Sequence, residues 1–154
     1  MYRKKTINSK FKIDTSDKGK LKRTFNGVLY DSEMEMKFHK DYLVPLLKKG
    51  NIKTITLQPK YILQDKFKKY GKSILPINYV ADFEVEWLNG LTIVYDVKGL
   101  PTPEAKMKRK MFDFRYPDKV LQWIALSNID GGWIQYDDLV KARAKRKKEK
   151  NSIK

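Results

Sequence analysis

The chain has 154 residues with no cysteine, a single histidine and a formal net charge of +16. This length predicts one domain with its own core, and the composition excludes disulfides, thiolate zinc sites and a metal site built on histidines. No apolar stretch approaches the roughly 20 residues of a spanning helix, and the N-terminal Met-Tyr-Arg-Lys-Lys lacks an apolar signal core, so we expect no membrane partner and a cytoplasmic location.

Positive charge is concentrated at both ends of the chain. Residues 1–24 contain nine Lys and Arg against two acids, and residues 141–154 contain eight against one, whereas residues 25–140 are nearly balanced. We therefore predict a basic flexible arm over residues 1–24, a folded domain over 25–140 and a basic tail over 141–154. Such arms suit a nucleic acid, because each neutralised phosphate releases counterions; solubility tails and binding to an anionic membrane are the alternatives.

The first part of the folded domain predicts a hairpin followed by a helix. Phe25-Asn26-Gly27-Val28 favours a tight turn, and Asp31 or Ser32 then caps a helix that runs to about Lys49, with a kink at Pro45. A buried stripe along this helix is predicted by four apolar residues at i, i+4 spacing: Met34, Phe38, Tyr42 and Leu46. Glu35 lies near the start of the helix, one position off this stripe.

Three strands, a helix, a fourth strand and a last helix are predicted next. Residues 52–63 predict a strand that bends at Pro59, residues 65–73 a charged loop, and residues 74–87 and 91–99 two strands joined at Asn89-Gly90. The later elements are a helix capped by Thr102 that runs to about Tyr116, a strand over 120–127 and a last helix over 133–144 that ends in the lysine run. The order is thus αβββαβα, with an αβββαβ core, and it predicts the α/β class with a mixed α+β sheet.

The apolar run that ends in Asp96-Val97-Lys98 carries the chemistry. Alternation along a strand puts Asp96 and Lys98 on one face, and the Asn89-Gly90 hairpin can bring Asp82 beside Asp96. Two converging carboxylates hold a hard divalent cation, and a lysine beside them steadies a water or a phosphate. This pattern predicts a site that cuts phosphodiesters, although a bare Asp-X-Lys is more often a surface ion pair, and Glu84 and Glu86 share the strand face of Asp82.

Four blocks occur in a diagnostic order: Asp31-Ser32-Glu33-Met34-Glu35, Leu57-Gln58-Pro59, Tyr79-Val80-Ala81-Asp82-Phe83 and Asp96-Val97-Lys98-Gly99. With them the chain resembles the PD-(D/E)XK nuclease superfamily. Within it, the chain resembles the phage endonuclease I family of Holliday-junction resolvases and a related uncharacterised phage protein family. The resemblance covers roughly residues 25–116. It implies a restriction-endonuclease-like core, a nuclease domain over 25–140, Mg²⁺ with Mn²⁺ as a substitute, branched DNA as partner, and a homodimer that acts in the bacterial host cytoplasm if phage-encoded.

The resemblance also implies roles for single residues. Glu35 matches a carboxylate that places a metal or the water, Asp82 matches the acid that bridges the metals, and Asp96 matches the second acid, where the resolvases usually have Glu. Lys98 matches the lysine, and the Val97 carbonyl completes a metal set with Glu35, Asp82 and Asp96. The basic residues expected to bind nucleic acid are Lys106, Lys108, Arg109, Lys110, Lys145, Arg146, Lys147 and Lys148.

We therefore expect a metal-dependent DNA endonuclease that acts on branched DNA. A transposase-type subunit that cleaves DNA ends shares the same blocks and is the nearest alternative. A non-catalytic nucleic-acid-binding protein and a virion or scaffold protein with basic tails explain the charge equally well, but leave the carboxylates and Lys98 without a purpose. Gln58 matches a recurrent glutamine of the family, and a purely structural role at a strand end fits it equally well.

Overall fold

A computed structural model describes residues 13–152 of the chain, so residues 1–12 of the predicted arm and 153–154 of the predicted tail lie outside it. Five α-helices in this part are α1 (Asp17–Lys22), α2 (Glu33–Lys37), α3 (Val44–Lys48), α4 (Pro103–Arg115) and α5 (Tyr136–Ser152). The strands are β1 (Thr24–Phe25), β2 (Val28–Leu29), β3 (Ile52–Leu57), β4 (Lys60–Gln64), β5 (Phe67–Lys69), β6 (Lys72–Ile74), β7 (Ile77–Val80), β8 (Phe83–Trp87), β9 (Thr92–Val97), β10 (Val120–Ser127) and β11 (Gly132–Gln135). This mixture of helices and strands confirms the predicted α/β class.

Five strands form the central sheet, in the order β11-β10-β9-β8-β3. Strands β9 and β10 are parallel and are connected through α4, whereas the other neighbours are antiparallel. In the β8–β9 pair Phe83 lies opposite Tyr95 and Glu86 lies opposite Thr92. Extended by one residue, this register brings Asp82 opposite Asp96, as the predicted hairpin requires.

Two hydrophobic clusters cover the two faces of this sheet. Ile93 and Tyr95 belong to one cluster, with side chains from the α2–α3 region, while Val94 belongs to the other, with Phe112 of α4 and Trp123 of β10. Neighbouring residues of β9 contribute to opposite clusters because side chains alternate across a strand. Helices and strands therefore bury the central strands from both sides.

The first long helix departs from regular α geometry in its middle. A π-helical segment, Phe38–Leu43, joins α2 to α3 and ends two residues before Pro45, whose ring and missing N–H disfavour ordinary helical bonding. Three of the four predicted stripe residues face the core: Phe38 is buried, and Tyr42 and Leu46 are partly buried and pack against the same cluster. The core also takes in Met36 and Leu43, which the stripe did not include, whereas Met34 is partly exposed.

Several predicted element boundaries are also wrong. The strand predicted over 52–63 breaks at Gln58, which has a positive φ of 48°, and the strand predicted over 74–87 breaks before β8. The predicted loop over 65–73 contains the β5–β6 hairpin, which forms a sheet of its own, as does the β4–β7 pair.

At the two ends of the chain there is more regular structure than predicted. The predicted flexible arm contains α1, in which Ser16 accepts a hydrogen bond from the Gly19 N–H. Residues 132–135 form β11 rather than the start of the last helix, and α5 continues through the lysine run to Ser152. None of the helices within residues 13–152 is long and apolar enough to cross a membrane.

Candidate active site

Asp82 is held by backbone bonds at the break between β7 and β8. Its N–H donates to the Tyr95 carbonyl at 3.1 Å, and its carbonyl accepts from the Gln58 N–H at 2.9 Å. The Asp82 carboxylate Oδ2 in turn accepts from the Val97 N–H at 2.6 Å. The neighbouring strands therefore fix both the backbone and the side chain of Asp82.

Asp96 is buried, with 2% of its surface exposed, and both of its carboxylate oxygens are engaged. Oδ1 lies 2.8 Å from Lys98 Nζ, and Oδ2 accepts from the Tyr79 hydroxyl. The Tyr79 oxygen itself accepts from Trp123 Nε1 at 3.0 Å. Burial, and then the negative charge of Asp96, raise the pKa of Tyr79, so its hydroxyl stays protonated and donates.

Glu35 approaches this pair of aspartates from the start of α2. Ser32 caps the helix by accepting from the Glu35 N–H at 3.1 Å, and its hydroxyl donates to Glu35 Oε1 at 2.8 Å. Of the two predicted capping residues it is therefore Ser32 that caps. The reciprocal bonds turn the Glu35 side chain back toward the sheet and away from open solvent.

The three carboxylates repel one another. Burial raises the pKa of Asp82 well above its usual value, and the charges of Asp96 and Glu35 add to this shift. Burial also raises the pKa of Glu35, with the charges of Asp31 and Asp96 acting in the same direction. Clustered and desolvated carboxylates of this kind are typical of functional sites, because their mutual repulsion does not stabilise the folded state.

An open cleft of about 590 Å³ contains these groups. Its lining includes Glu35, Asp82, Asp96 and Lys98, together with Arg143 of α5. Within residues 13–152 the Arg143 guanidinium makes no ion pair and is exposed. A smaller cavity of about 120 Å³ shares Glu35 and Asp82 and includes Gln58.

Asp82 and Asp96 both line the cleft, and carboxylate oxygens are the type of ligand that Mg²⁺ prefers. Within the described part of the chain, no group of three or more His, Cys, Asp or Glu side chains is arranged to hold a metal ion. A cation bound by these two carboxylates would thus need the Val97 carbonyl or water for its remaining oxygen ligands. Such a cation would also offset the negative charge of the clustered carboxylates, of which Lys98 pairs only with Asp96.

The basic residues proposed from the sequence divide into two groups. Lys108 pairs with Glu104 at 3.1 Å, Arg109 pairs with Asp137 at 2.7 Å, and Arg146 pairs with Asp130 at 2.5 Å. The Arg109 and Arg146 pairs tie α5 to its neighbours, which reduces the availability of these two side chains to a ligand. The residues that remain exposed are Lys106, Lys110, Lys145, Lys147 and Lys148.

Sequence reasoning missed three residues of this site. Tyr79 and Trp123 orient Asp96, and a signal for them existed, because a buried Tyr or Trp needs a hydrogen-bond partner. Arg143 reaches the cleft only through the packing of α5, which no local pattern indicates. The two other acids of β8 are engaged elsewhere: Glu84 pairs with Lys119 and Glu86 with Lys53.

Fold and site together define an α+β protein that presents an acidic cluster and a lysine where the inner strands β8 and β9 of its central sheet begin and end. The chain belongs to the family described as "Protein of unknown function (DUF1064)", whose model matches residues 15–129. This segment contains Glu35, Asp82, Asp96 and Lys98, and ends before α5. No curated protein and no solved structure matches the chain.

Proposed function

We propose that the protein is a metal-dependent endonuclease that hydrolyses phosphodiester bonds in DNA, with branched DNA as its substrate. The observation that carries the proposal is the convergence of Asp82, Asp96 and Lys98 in one cleft, which Glu35 also lines. The resemblance of the four sequence blocks to the PD-(D/E)XK nucleases, and to the phage endonuclease I resolvases among them, supports the same reaction. The net charge of +16 supports a polyanionic substrate.

Asp82, Asp96 and the Val97 carbonyl would hold Mg²⁺, or Mn²⁺ in its place, and Glu35 would hold a second ion or the attacking water. When bound, such a cation lowers the pKa of its water and offsets charge on the phosphate. The protein contributes rigidity to this arrangement. The Val97 N–H fixes Asp82 and the Tyr79 hydroxyl fixes Asp96, so both carboxylates are oriented before the substrate arrives.

Lys98 and Glu35 handle proton and phosphate chemistry in this proposal. Lys98 Nζ, bound to Asp96 Oδ1 at 2.8 Å, has two further N–H donors for a phosphate oxygen and the nucleophilic water. Glu35 has a raised pKa, so it takes a proton from that water more readily than an ordinary carboxylate does. Arg143 and the exposed lysines of α4 and α5 bind flanking phosphates.

Resolution of a four-way junction requires two symmetric cuts, whereas one chain carries one Asp82/Asp96/Lys98 set. We therefore propose a homodimer, since two-fold pairing of identical chains is the commonest way to duplicate a site. The place of action that follows is the cytoplasm, where cellular or phage DNA is processed.

The test is cleavage of labelled four-way junction, flap, nicked and linear duplex DNA with Mg²⁺ and with EDTA. We expect cleavage only with the metal, fastest on branched DNA, and none by an Asp96→Asn preparation, which controls for a copurifying nuclease. Binding without cleavage in Mg²⁺ or Mn²⁺ would overturn the nuclease in favour of a binding protein. Equal rates on linear and branched DNA would overturn only the proposal that branched DNA is the substrate, and not the proposed nuclease activity.

A further inference from the structure

The β5–β6 hairpin, residues 67–74, stands apart from the central sheet. Its strands pair with each other, with Phe67 opposite Ile74 and Lys69 opposite Lys72, and form a two-stranded sheet. At its base Asp65 pairs with Arg115 of α4 at 2.6 Å. The hairpin is thus attached to the body at its base and presents its turn, Tyr70-Gly71, to solvent.

The charge of this hairpin is unbalanced. Four exposed lysines lie in or beside it, and none of them forms an ion pair within residues 13–152. The only carboxylate in the segment 65–75, Asp65, is already paired with Arg115. The surface therefore carries four positive charges that the described part of the protein does not neutralise: Lys66, Lys68, Lys69 and Lys72.

Two local features of the hairpin oppose its own folding. Tyr70 has a φ of 51°, a left-handed conformation that Asn and Gly adopt far more readily than an aromatic residue. In the β1–β2 turn the chain places Asn26 at the equivalent position, with a φ of 49°. Lys69 also lies directly opposite Lys72, and like charges in this position destabilise a strand pair. Residues that break local rules in this way point to a function.

We propose that the β5–β6 hairpin is a nucleic-acid-binding wing, in which the lysines bind phosphates and Tyr70 stacks on an unpaired base. Tyr70 is 91% exposed, and Lys69 Nζ lies 5.5 Å from its ring centroid, so a base and a phosphate can be bound together. The same hairpin of a second copy is disfavoured as the partner of this surface, because each hairpin carries four lysines that form no ion pair within residues 13–152. The inference rests on the proposed function, since it assigns the wing to the same DNA.

The wing is close enough to serve the cleft. Lys60 of β4 pairs with Val80 of β7, and Val80 lines the cleft. Ten residues separate Lys60 from Tyr70, so the chain between them spans at most about 35 Å, roughly one turn of B-form DNA. Tyr70 therefore contacts DNA within about one turn of the cleaved bond, a distance at which a branch point offers unpaired bases.

The test is equilibrium binding of the full chain to labelled four-way junction DNA in EDTA over a range of salt concentrations. Tyr70→Asn should weaken binding about 5- to 150-fold, while its melting temperature stays the same or rises, because Asn suits the turn. Tyr70→Phe, which keeps the ring, should bind like the wild type. Lys69→Gln with Lys72→Gln should lower the slope of log affinity against log salt by about two.

The matched charge control is Lys48→Gln with Lys49→Gln. These exposed lysines lie near Asn51, whose carbonyl accepts from the Leu88 N–H beyond the far end of β8 from Asp82. This control variant should bind junction DNA with the wild-type affinity and the wild-type salt slope. An equal loss in this control and in the wing variant would overturn the wing, since it would show a general charge effect.

Other outcomes separate the wing from the nuclease. Wild-type affinity in both wing variants would overturn the wing, even if the protein cleaves DNA. Loss of binding by these variants, with no cleavage by the wild type in Mg²⁺, would support the wing and overturn the nuclease. If the variants lose binding to phosphatidylserine vesicles but keep binding to DNA, the hairpin is a membrane contact and the wing is overturned.

Discussion

Replacing Tyr79 by Phe removes one hydroxyl from the interior and deprives two groups of their partner. The ring is buried and packs 5.7 Å from Phe112, so its shape and apolar contacts are retained. Asp96 Oδ2 loses a donor, and Trp123 Nε1 loses its acceptor. A hydrogen bond to a charged group contributes about 1.5–3 kcal/mol, and an unsatisfied buried donor costs about 1–3 kcal/mol. Because the two effects share one oxygen, we expect the free energy of unfolding to fall by about 2–4 kcal/mol.

Denaturation by urea at neutral pH measures this change. The midpoint should fall with an unchanged m value, since the surface exposed on unfolding stays the same. Tyr70→Phe is the matched control: it removes the same atom from a side chain that is 91% exposed, and should change stability by less than about 0.5 kcal/mol. Equal stabilities of the two variants would refute the buried Trp123–Tyr79–Asp96 chain of hydrogen bonds.

Three further predictions concern two charged residues of the site and the oligomeric state. Asp82→Asn keeps an acceptor for the Val97 N–H but removes a buried charge, so we expect it to raise the free energy of unfolding at neutral pH by about 0.5–2 kcal/mol. Because the folded-state pKa of Asp82 is raised, the wild type loses stability as pH rises above 3.8 toward that pKa. The stability gained by Asp82→Asn should therefore vanish near pH 3, where Asp82 is protonated in both the folded and the unfolded state. A gain that does not depend on pH would show that the buried charge of Asp82 is not its cause. Arg143→Ala should reduce kcat/KM on DNA about tenfold or more. Lys49→Ala removes the same charge from an exposed side chain beyond the far end of β8 from Asp82, and should change kcat/KM less than threefold. Equal effects would show that Arg143 acts only through the general charge of the protein. Sedimentation with and without junction DNA should detect a dimer, and a strict monomer in both states would rule out the symmetric resolvase.

Local sequence patterns were sufficient to bring Asp82 and Asp96 together. The Asn89-Gly90 turn and the alternation along the two strands set the pairing register, and the structure has Asp82 next in line opposite Asp96. The same alternation put Asp96 and Lys98 on one face, and their side chains lie 2.8 Å apart. Turn residues and strand periodicity were thus sufficient to predict that Asp82, Asp96 and Lys98 lie close together.

Long-range packing explains what the sequence did not predict. Tyr79 and Trp123 are 44 residues apart and meet only because β7 and β10 contribute to the same hydrophobic cluster. Arg109 finds Asp137 through the packing of α4 against α5, so a side chain that reads as free cationic surface is in fact paired. Leu43, at the end of the π-helical segment, is buried beside the predicted stripe, and a regular 3.6-residue period does not anticipate this wider turn.

The most direct test of the proposed site is the rate of a single round of DNA cleavage in Mg²⁺ by the wild type and by two variants that each lose one carboxylate. Asp82→Asn should be slower by about a thousandfold or more, because the negative charge and one of the two carboxylate oxygens are lost together. Glu86→Gln removes an acid of the adjoining strand that pairs with Lys53 at the surface, and should cleave at the wild-type rate. Wild-type turnover by Asp82→Asn, or cleavage by all three proteins in EDTA, would contradict a metal-dependent site at Asp82 and Asp96.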